Sequence, residues 1–145
     1  MVDSKDEIKE KIIKNYSQVA KGENIGCCSS GCCSENSGNL DIIKVGEKLG
    51  YSQEDLESDF IGANQGLGCG NPKAIANLNQ GQTVLDLGCG AGFDVFLAAQ
   101  EVGSKGKVIG IDMTPEMINK ARKNAKKNDF TNVDFRLGEI EHLPV

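Results

Sequence analysis

The apolar and polar positions divide the chain into a helical, loop-rich first half and a second half in which strand and helix patterns alternate. Ile8, Ile12, Tyr16 and Val19 recur at helical spacing, joined by Ile13 and Ala20. A capping box, Ser4 with Glu7 three residues on, opens this helix, and Gly22 closes it. Its single apolar stripe reads as a packing face. Residues 39–49 predict a shorter helix stopped by Gly50, and 52–55 (SQED) predict another start leading to Leu56 and Phe60. A glycine-rich loop follows at 62–72. Pro72 stands where a helix favours proline, with Asn71 as its cap, so 73–78 predict a helix.

The second half is organised around 83–92, TVLDLGCGAG. Val84, Leu85 and Leu87 read as a short buried strand with Asp86 inside it. Gly88, Gly90 and Gly92 form a turn, and 93–99 (FDVFLAA) open a helix. A second strand is expected at 108–111, ending in Asp112 after a turn at 103–107. Thr114 and Pro115 start the next helix, with Met117, Ile118, Ala121 and Ala125 inward. Lys120, Arg122, Lys123, Lys126 and Lys127 read as its solvated face, which needs no partner. Residues 131–137 alternate as a third strand. Strands alternating with helices imply an α/β fold with a parallel sheet.

Composition narrows the class. The chain has 145 residues, enough for one core, and a net charge of −5, which provides no basic footprint for nucleic acid or an anionic membrane surface. No apolar run approaches a membrane span, and the first ten residues are charged rather than signal-like, so a soluble, cytoplasmic protein is expected. Six cysteines in such a chain point to metal binding or thiol chemistry rather than a disulfide framework.

Those cysteines are unevenly placed. Cys27, Cys28, Cys32 and Cys33 fall in GCCSSGCCS at 26–34, where no hydrophobic periodicity makes them core residues. Adjacent cysteines are poorly shaped to bridge each other. A thiol-dense loop suits a soft, thiophilic ion. A structural zinc site is the rival, although the second cysteine knuckle it normally needs is missing; incidental cysteines in a loop are the plain alternative. Cys69 is flanked by Gly68 and Gly70, which leaves its thiol accessible. Cys89, inside the glycine turn, reads as a small spacer.

A strand, a glycine turn and a helix N-terminus together suit a nucleotide-like cofactor, because backbone can approach the ligand and free N–H groups face it. A tight strand–helix turn with no ligand is the plainer reading. The dinucleotide fingerprint is G-x-G-x-x-G. Here the third glycine comes one residue early and Phe93 takes the last position, which fits S-adenosylmethionine better. Asp112 lies about 20 residues beyond Gly92, where a βαβ unit presents a carboxylate to ribose hydroxyls. Glu139 stands beyond the C-terminal end of the third strand. The one histidine, His142, has no visible acid or nucleophile partner and reads as surface.

GLGCGNP at 66–72, VLDLGCGAGFD at 84–94, VIGIDMTPEM at 108–117 and FRLGEIEHLPV at 135–145 follow one another in order. With the cysteine loop ahead of them, they closely resemble the bacterial and archaeal arsenite methyltransferases, within the class I S-adenosylmethionine-dependent family. The resemblance implies a Rossmann-like sheet, here its first three parallel strands. It implies a helical, cysteine-loop segment over 1–72 and the first half of the cofactor-binding domain over 73–145. Gly88, Gly90 and Gly92 would approach the methionyl part of S-adenosylmethionine and Asp86 would support its amino group. Asp112 would hold the ribose, Met113 would lie against the adenine, and Glu139 and Ile140 would frame its edge. Cys69 would bind arsenic with one of Cys27, Cys28, Cys32 or Cys33, Cys33 being the first choice. The implied function is methylation of arsenite, or of its thiol conjugates, in arsenic detoxification, supported by a cellular thiol reductant of the glutathione or thioredoxin type.

The family carries a further arsenic-binding cysteine after a fourth strand, and this chain stops at Val145, so a truncated chain is expected. Three strands alone would leave an edge through which copies could self-associate. Two other functions remain open: a non-catalytic thiol module that binds arsenite or another soft metal, and a methyltransferase acting on another small molecule.

Overall fold

A computed structural model describes residues 4–22, 39–68 and 70–145. Cys27, Cys28, Cys32, Cys33 and Cys69 lie outside the described residues. Helix α1 spans Lys5–Lys21 and carries the expected capping box: the Ser4 hydroxyl accepts from the Glu7 N–H, and the Glu7 carboxylate accepts from the Ser4 N–H. Gly22 closes it in the left-handed conformation (φ 77°). Helix α2 (Asn39–Lys48) and helix α3 (Gln53–Leu56) follow, α3 opened by a second capping box between Ser52 and Asp55. Helix α4 covers only Lys73–Ala76, because Asn77 turns left-handed (φ 46°) and breaks the run expected to reach 78. Asn71 does act at its start, with Oδ1 accepting from the Ala74 N–H at 3.2 Å.

The sheet is parallel, in the order β1 (Thr83–Leu87), β2 (Lys107–Asp112), β3 (Val133–Leu137). Helix α5 (Phe93–Val102) and helix α6 (Pro115–Lys127) make the crossovers. Right-handed crossovers that move the same way across a sheet place both helices on one face. This arrangement corrects the reading of β1 as a buried strand. Leu85 and Leu87, on the face away from α5 and α6, are 41% and 50% exposed. On the same face, Lys107 and Arg136 pair with Asp134.

The covered face holds the core. In register, Asp86, Gly110 and Phe135 lie side by side across the three strands. Phe96 stacks on Phe130 (centroids 4.7 Å apart) and meets Phe135 edge-on (5.7 Å). Such pairs contribute about 0.5–1.5 kcal/mol each beyond their burial. The inward residues of α6 are as expected: Met117, Ile118, Ala121 and Ala125 are buried. Two of its basic residues are not merely solvated. Lys120 Nζ donates to Gln65 Oε1 (2.8 Å), and the Arg122 guanidinium donates to the Phe135 carbonyl (2.7 Å), because both long stems can reach backbone and loop beside the helix. Thr114 precedes α6 without capping it through its side chain. Its own N–H is instead bound by Asp112 Oδ1 (2.8 Å). Among the described residues no helix is long and apolar enough to cross a membrane.

Gly110 is required by contact rather than by backbone angle. A Cβ there would lie 2.9 Å from both Cys89 Sγ and a ring carbon of Phe135. Gly110→Ala is therefore expected to destabilise the fold by about 1–3 kcal/mol. Gly62→Ala, where a Cβ meets nothing within 4 Å, serves as the control and changes stability far less. Urea unfolding of the two variants checks the contrast.

Candidate functional site

The glycine turn is built by three hydrogen bonds to the end of β2. The N–H groups of Gly88 and Cys89 both donate to the Ile111 carbonyl, at 2.8 and 3.0 Å. The Gly90 N–H donates to Asp112 Oδ2 at 2.9 Å. The three glycines have positive φ (79°, 53° and 96°), a conformation that L side chains rarely adopt. They differ in surroundings. A Cβ on Gly92 would collide with Phe135 at 2.8 Å, so Gly92 lets helix α5 settle onto the sheet. A Cβ on Gly88 or Gly90 would meet nothing within 4 Å, so those two leave open space above the turn.

That space is the floor of a cleft of about 1260 Å³. Gly88, Gly90, Asp86, Asp112 and Met113 line it, together with Ile140 from beyond β3. The loop expected to carry an accessible thiol forms another wall: Gly68 and Gly70, the chain neighbours of Cys69, line the same cleft. Eight of the thirteen sequence-derived site residues are thus among the described residues, and six of those line the cleft; Gly92, packed against Phe135, and Glu139 do not.

Glu139 does not face the cleft. Its carboxylate pairs with Lys9 of α1, and its backbone forms a bridge with His142. His142 is exposed, as expected. Helix α1 supplies what sequence reasoning missed. The α1 stripe assigned to packing faces the cleft through Ile8, Ile12 and Tyr16, which remain 37–44% exposed. The C-terminal half of the helix is fastened to α6: Ser17 Oγ donates to Glu116 Oε2 (2.6 Å), and Lys120 Nζ reaches the Ala20 carbonyl (3.4 Å). Tyr51 and Asp94 were also missed. The Tyr51 hydroxyl lies 2.7 Å from Asp94 Oδ1 and 2.9 Å from the Gly70 carbonyl oxygen. Neither residue belongs to a periodic pattern that points to a site.

Electrostatics make the floor acidic. Burial, followed by the charges of Asp94 and Asp112, pushes the Asp86 carboxyl up to about 6. Burial also raises Asp94. Such a cluster is costly unless a cationic ligand offsets it. Burial drives the Cys89 thiol far above its ordinary range, so it is an inert packing group, consistent with a spacer. No cluster of three or more metal-ligating side chains occurs among the described residues.

The donor set fits S-adenosylmethionine. The open glycine turn admits an extended chain and the acids match its ammonium and sulfonium charges. The Asp112 carboxylate, which uses two acceptor positions on backbone, has about two left for hydroxyls.

Residues 78–145 match the family model of a methyltransferase domain. The chain is 53% identical to an arsenite methyltransferase of Halobacterium salinarum over 97% of its own length. It spans 37% of that relative. It is 46% identical, over 61 residues, to an aklanonic acid methyltransferase of a Streptomyces species, covering 42% of this chain and 28% of that protein. Among solved structures, an arsenic(III) S-adenosylmethionine methyltransferase from Chlamydomonas reinhardtii is 38% identical, covering 67% of this chain and 32% of that one at a TM-score of 0.47.

The raised Asp86 group has a measurable consequence. Between its ordinary value of 3.8 and about 6 the folded chain holds a proton that the unfolded chain has lost. Its contribution to stability is therefore fully present at low pH and is lost as pH rises through about 6. Asp86→Asn removes this component. Relative to the unmodified chain, the variant should gain stability as pH rises from about 4 to about 6, then level off, in chemical unfolding followed across pH.

Proposed function

We propose that this chain, which belongs to the class I S-adenosylmethionine-dependent methyltransferases, carries the cofactor site and first substrate thiols of an enzyme that methylates trivalent arsenic. One observation carries the reading. Gly68 and Gly70, on either side of Cys69, line the same cleft as the glycine turn and Asp112. A thiol borne by that loop and a cofactor held by that turn would share one space. The similarity to the Halobacterium arsenite methyltransferase supports the reading, because it extends over the N-terminal cysteine segment and not the cofactor half alone.

When bound, S-adenosylmethionine supplies an electrophilic methyl group on a sulfonium. The chain's residues do the rest. Gly88 and Gly90 admit the methionyl chain, Asp86 faces its amino group, Asp112 takes the ribose hydroxyls, and Met113 and Ile140 flank the adenine. Glu139 would reach the adenine edge only after leaving Lys9. Cys69, with one of Cys27, Cys28, Cys32 or Cys33, displaces hydroxide from arsenite and holds arsenic through thiolates.

Thiolate-bound trivalent arsenic keeps a lone pair and attacks without losing a proton, so no general base is required. Catalysis then rests on positioning and thiolate character. Among the described residues, no histidine lines the cleft, which suits that chemistry. The role would be arsenic detoxification in the cytoplasm, with a cellular thiol of the glutathione or thioredoxin type keeping the cysteines reduced.

Calorimetry with S-adenosylmethionine and with arsenite tests the reading. The chain should bind both, and Cys69→Ser should weaken arsenite binding about ten-fold or more, the scale of one lost thiolate bond in a multidentate site. Unchanged arsenite affinity in the variant removes Cys69 from the site. Arsenite binding without cofactor binding selects the non-catalytic thiol module. Cofactor binding without arsenite binding selects a methyltransferase of another small molecule, the reading that the aklanonic acid relative would favour.

Among the described residues no strand pairs with the outer edge of β1, and that edge, with Leu85 and Leu87 exposed beside it, also fits association between copies. Sedimentation should show a dimer or larger species at tens of micromolar protein, roughly where weak edge contacts populate. A monomer throughout that range overturns this expectation.

A further inference from the structure

The loop that carries Cys69 is stitched to the segment after α2 at two points. The Tyr51 hydroxyl meets the Gly70 carbonyl at 2.9 Å, and Asn71 Nδ2 donates to the Gly50 carbonyl at 2.9 Å. The same Tyr51 hydroxyl meets Asp94 Oδ1 at 2.7 Å. Asp94 is the second residue of α5, the helix that the glycine turn opens. One phenol therefore joins the cysteine-bearing loop to the start of the cofactor helix.

We propose that Tyr51 is a positioning residue, whose hydroxyl fixes the Gly68–Gly70 loop against the N-terminus of α5 and so sets the Cys69 thiol relative to the cofactor turn. The proposal rests on the arsenite reading for its functional consequence, though not for its structural one.

Three features show that the phenol is built into place. Tyr51 is 7% exposed and its ring sits edge-on to Phe93, with centroids 5.3 Å apart, so the hydroxyl has little freedom to point elsewhere. Gly68 packs beside it: a Cβ there would be in ordinary contact with Leu49 at 3.5 Å and with the Tyr51 hydroxyl at 4.0 Å, so the loop lies against the phenol on this side as well. The proton inventory is also tight. A phenol has one proton, and the Gly70 carbonyl and a charged Asp94 both ask for it. The Tyr51 O–H lies within donating distance of both acceptors, Asp94 Oδ1 at 2.7 Å and the Gly70 carbonyl at 2.9 Å, so one hydroxyl holds the two segments together.

The positions in the chain explain why such a device is needed. Cys69 stands between two glycines, the residues that restrain a backbone least. A thiol meant to hold a substrate in register with a methyl donor loses its advantage if the loop wanders, since small misplacements cost large factors in rate. The bridge supplies, from Tyr51, Asn71 and Asp94, the restraint that the glycines do not.

Tyr51→Phe keeps the ring and removes only the bridge. Amide hydrogen exchange of the cofactor-free chain, followed over residues 66–74 with α6 as the internal control, should show the loop exchanging about five-fold faster while α6 is unchanged; five-fold is the scale of one neutral hydrogen bond. Arsenite affinity should fall by a similar factor. Cys69→Ser is measured in parallel. If loop exchange is unaltered in Tyr51→Phe, or if arsenite affinity is unaltered while Cys69→Ser abolishes it, the positioning role is overturned. If Cys69→Ser leaves arsenite binding intact, the arsenite reading fails, and the bridge stands or falls on hydrogen exchange alone.

Discussion

The site depends on the Ile111 carbonyl. Two successive amides of the glycine turn, Gly88 and Cys89, converge on that one oxygen, while the next residue's amide is taken by Asp112. A turn made of positive-φ residues has many accessible shapes, and closing it into one costs conformational entropy. These three bonds select the shape. They also bind the turn to the end of β2, so the residues that follow Ile111, the acid Asp112 and Met113, arrive at the cleft in fixed relation to Gly88 and Gly90. The floor of the cleft and its acidic rim are parts of one hydrogen-bonded unit.

Packing holds that unit from below. Gly92 and Gly110 both clear the ring of Phe135, which in turn meets Phe96 of α5. The helix can then lie close to the sheet with its N-terminus under the turn. Tyr51 and Phe60 meet Phe93 at the same end, so the aromatic cluster continues up to the cleft wall. The core and the site share a boundary, and a substitution that loosens Phe135 would be felt at both.

Much of this was legible in local signals. The capping box at Ser4, the helix start at Ser52, the three strands and the glycine turn each depend on neighbours within a few residues, and each stands where the pattern puts it. The role of α1 was not, because an amphipathic stripe reports that a helix has an apolar face and says nothing of what it faces. Ile8, Ile12 and Tyr16 meet a cleft assembled mostly from residues after position 60. Glu139 differed for a related reason: its partner, Lys9, lies 130 positions away in the chain. The outer face of β1 was misread because alternation and an apolar run cannot distinguish a strand covered on both sides from one covered on one side. Tyr51 was invisible because a lone aromatic between two short helices has no period.

Charge connects these pieces. Asp86, Asp94 and Asp112 gather at the cleft of a chain that is already acidic, and burial, with the charges of the other two acids behind it, pushes the Asp86 carboxyl up to about 6. Two of the described cations nearby are committed elsewhere: Lys9 to Glu139, and Lys73 to Asp55 and Glu101. A cluster so arranged is stabilised by a ligand that carries positive charge into the cleft. A sulfonium beside an ammonium meets that requirement, whereas a dinucleotide, with its two phosphates, would add to the repulsion. The acids therefore discriminate between cofactors that a glycine turn alone would accept, and they do so through the same residues that close the turn.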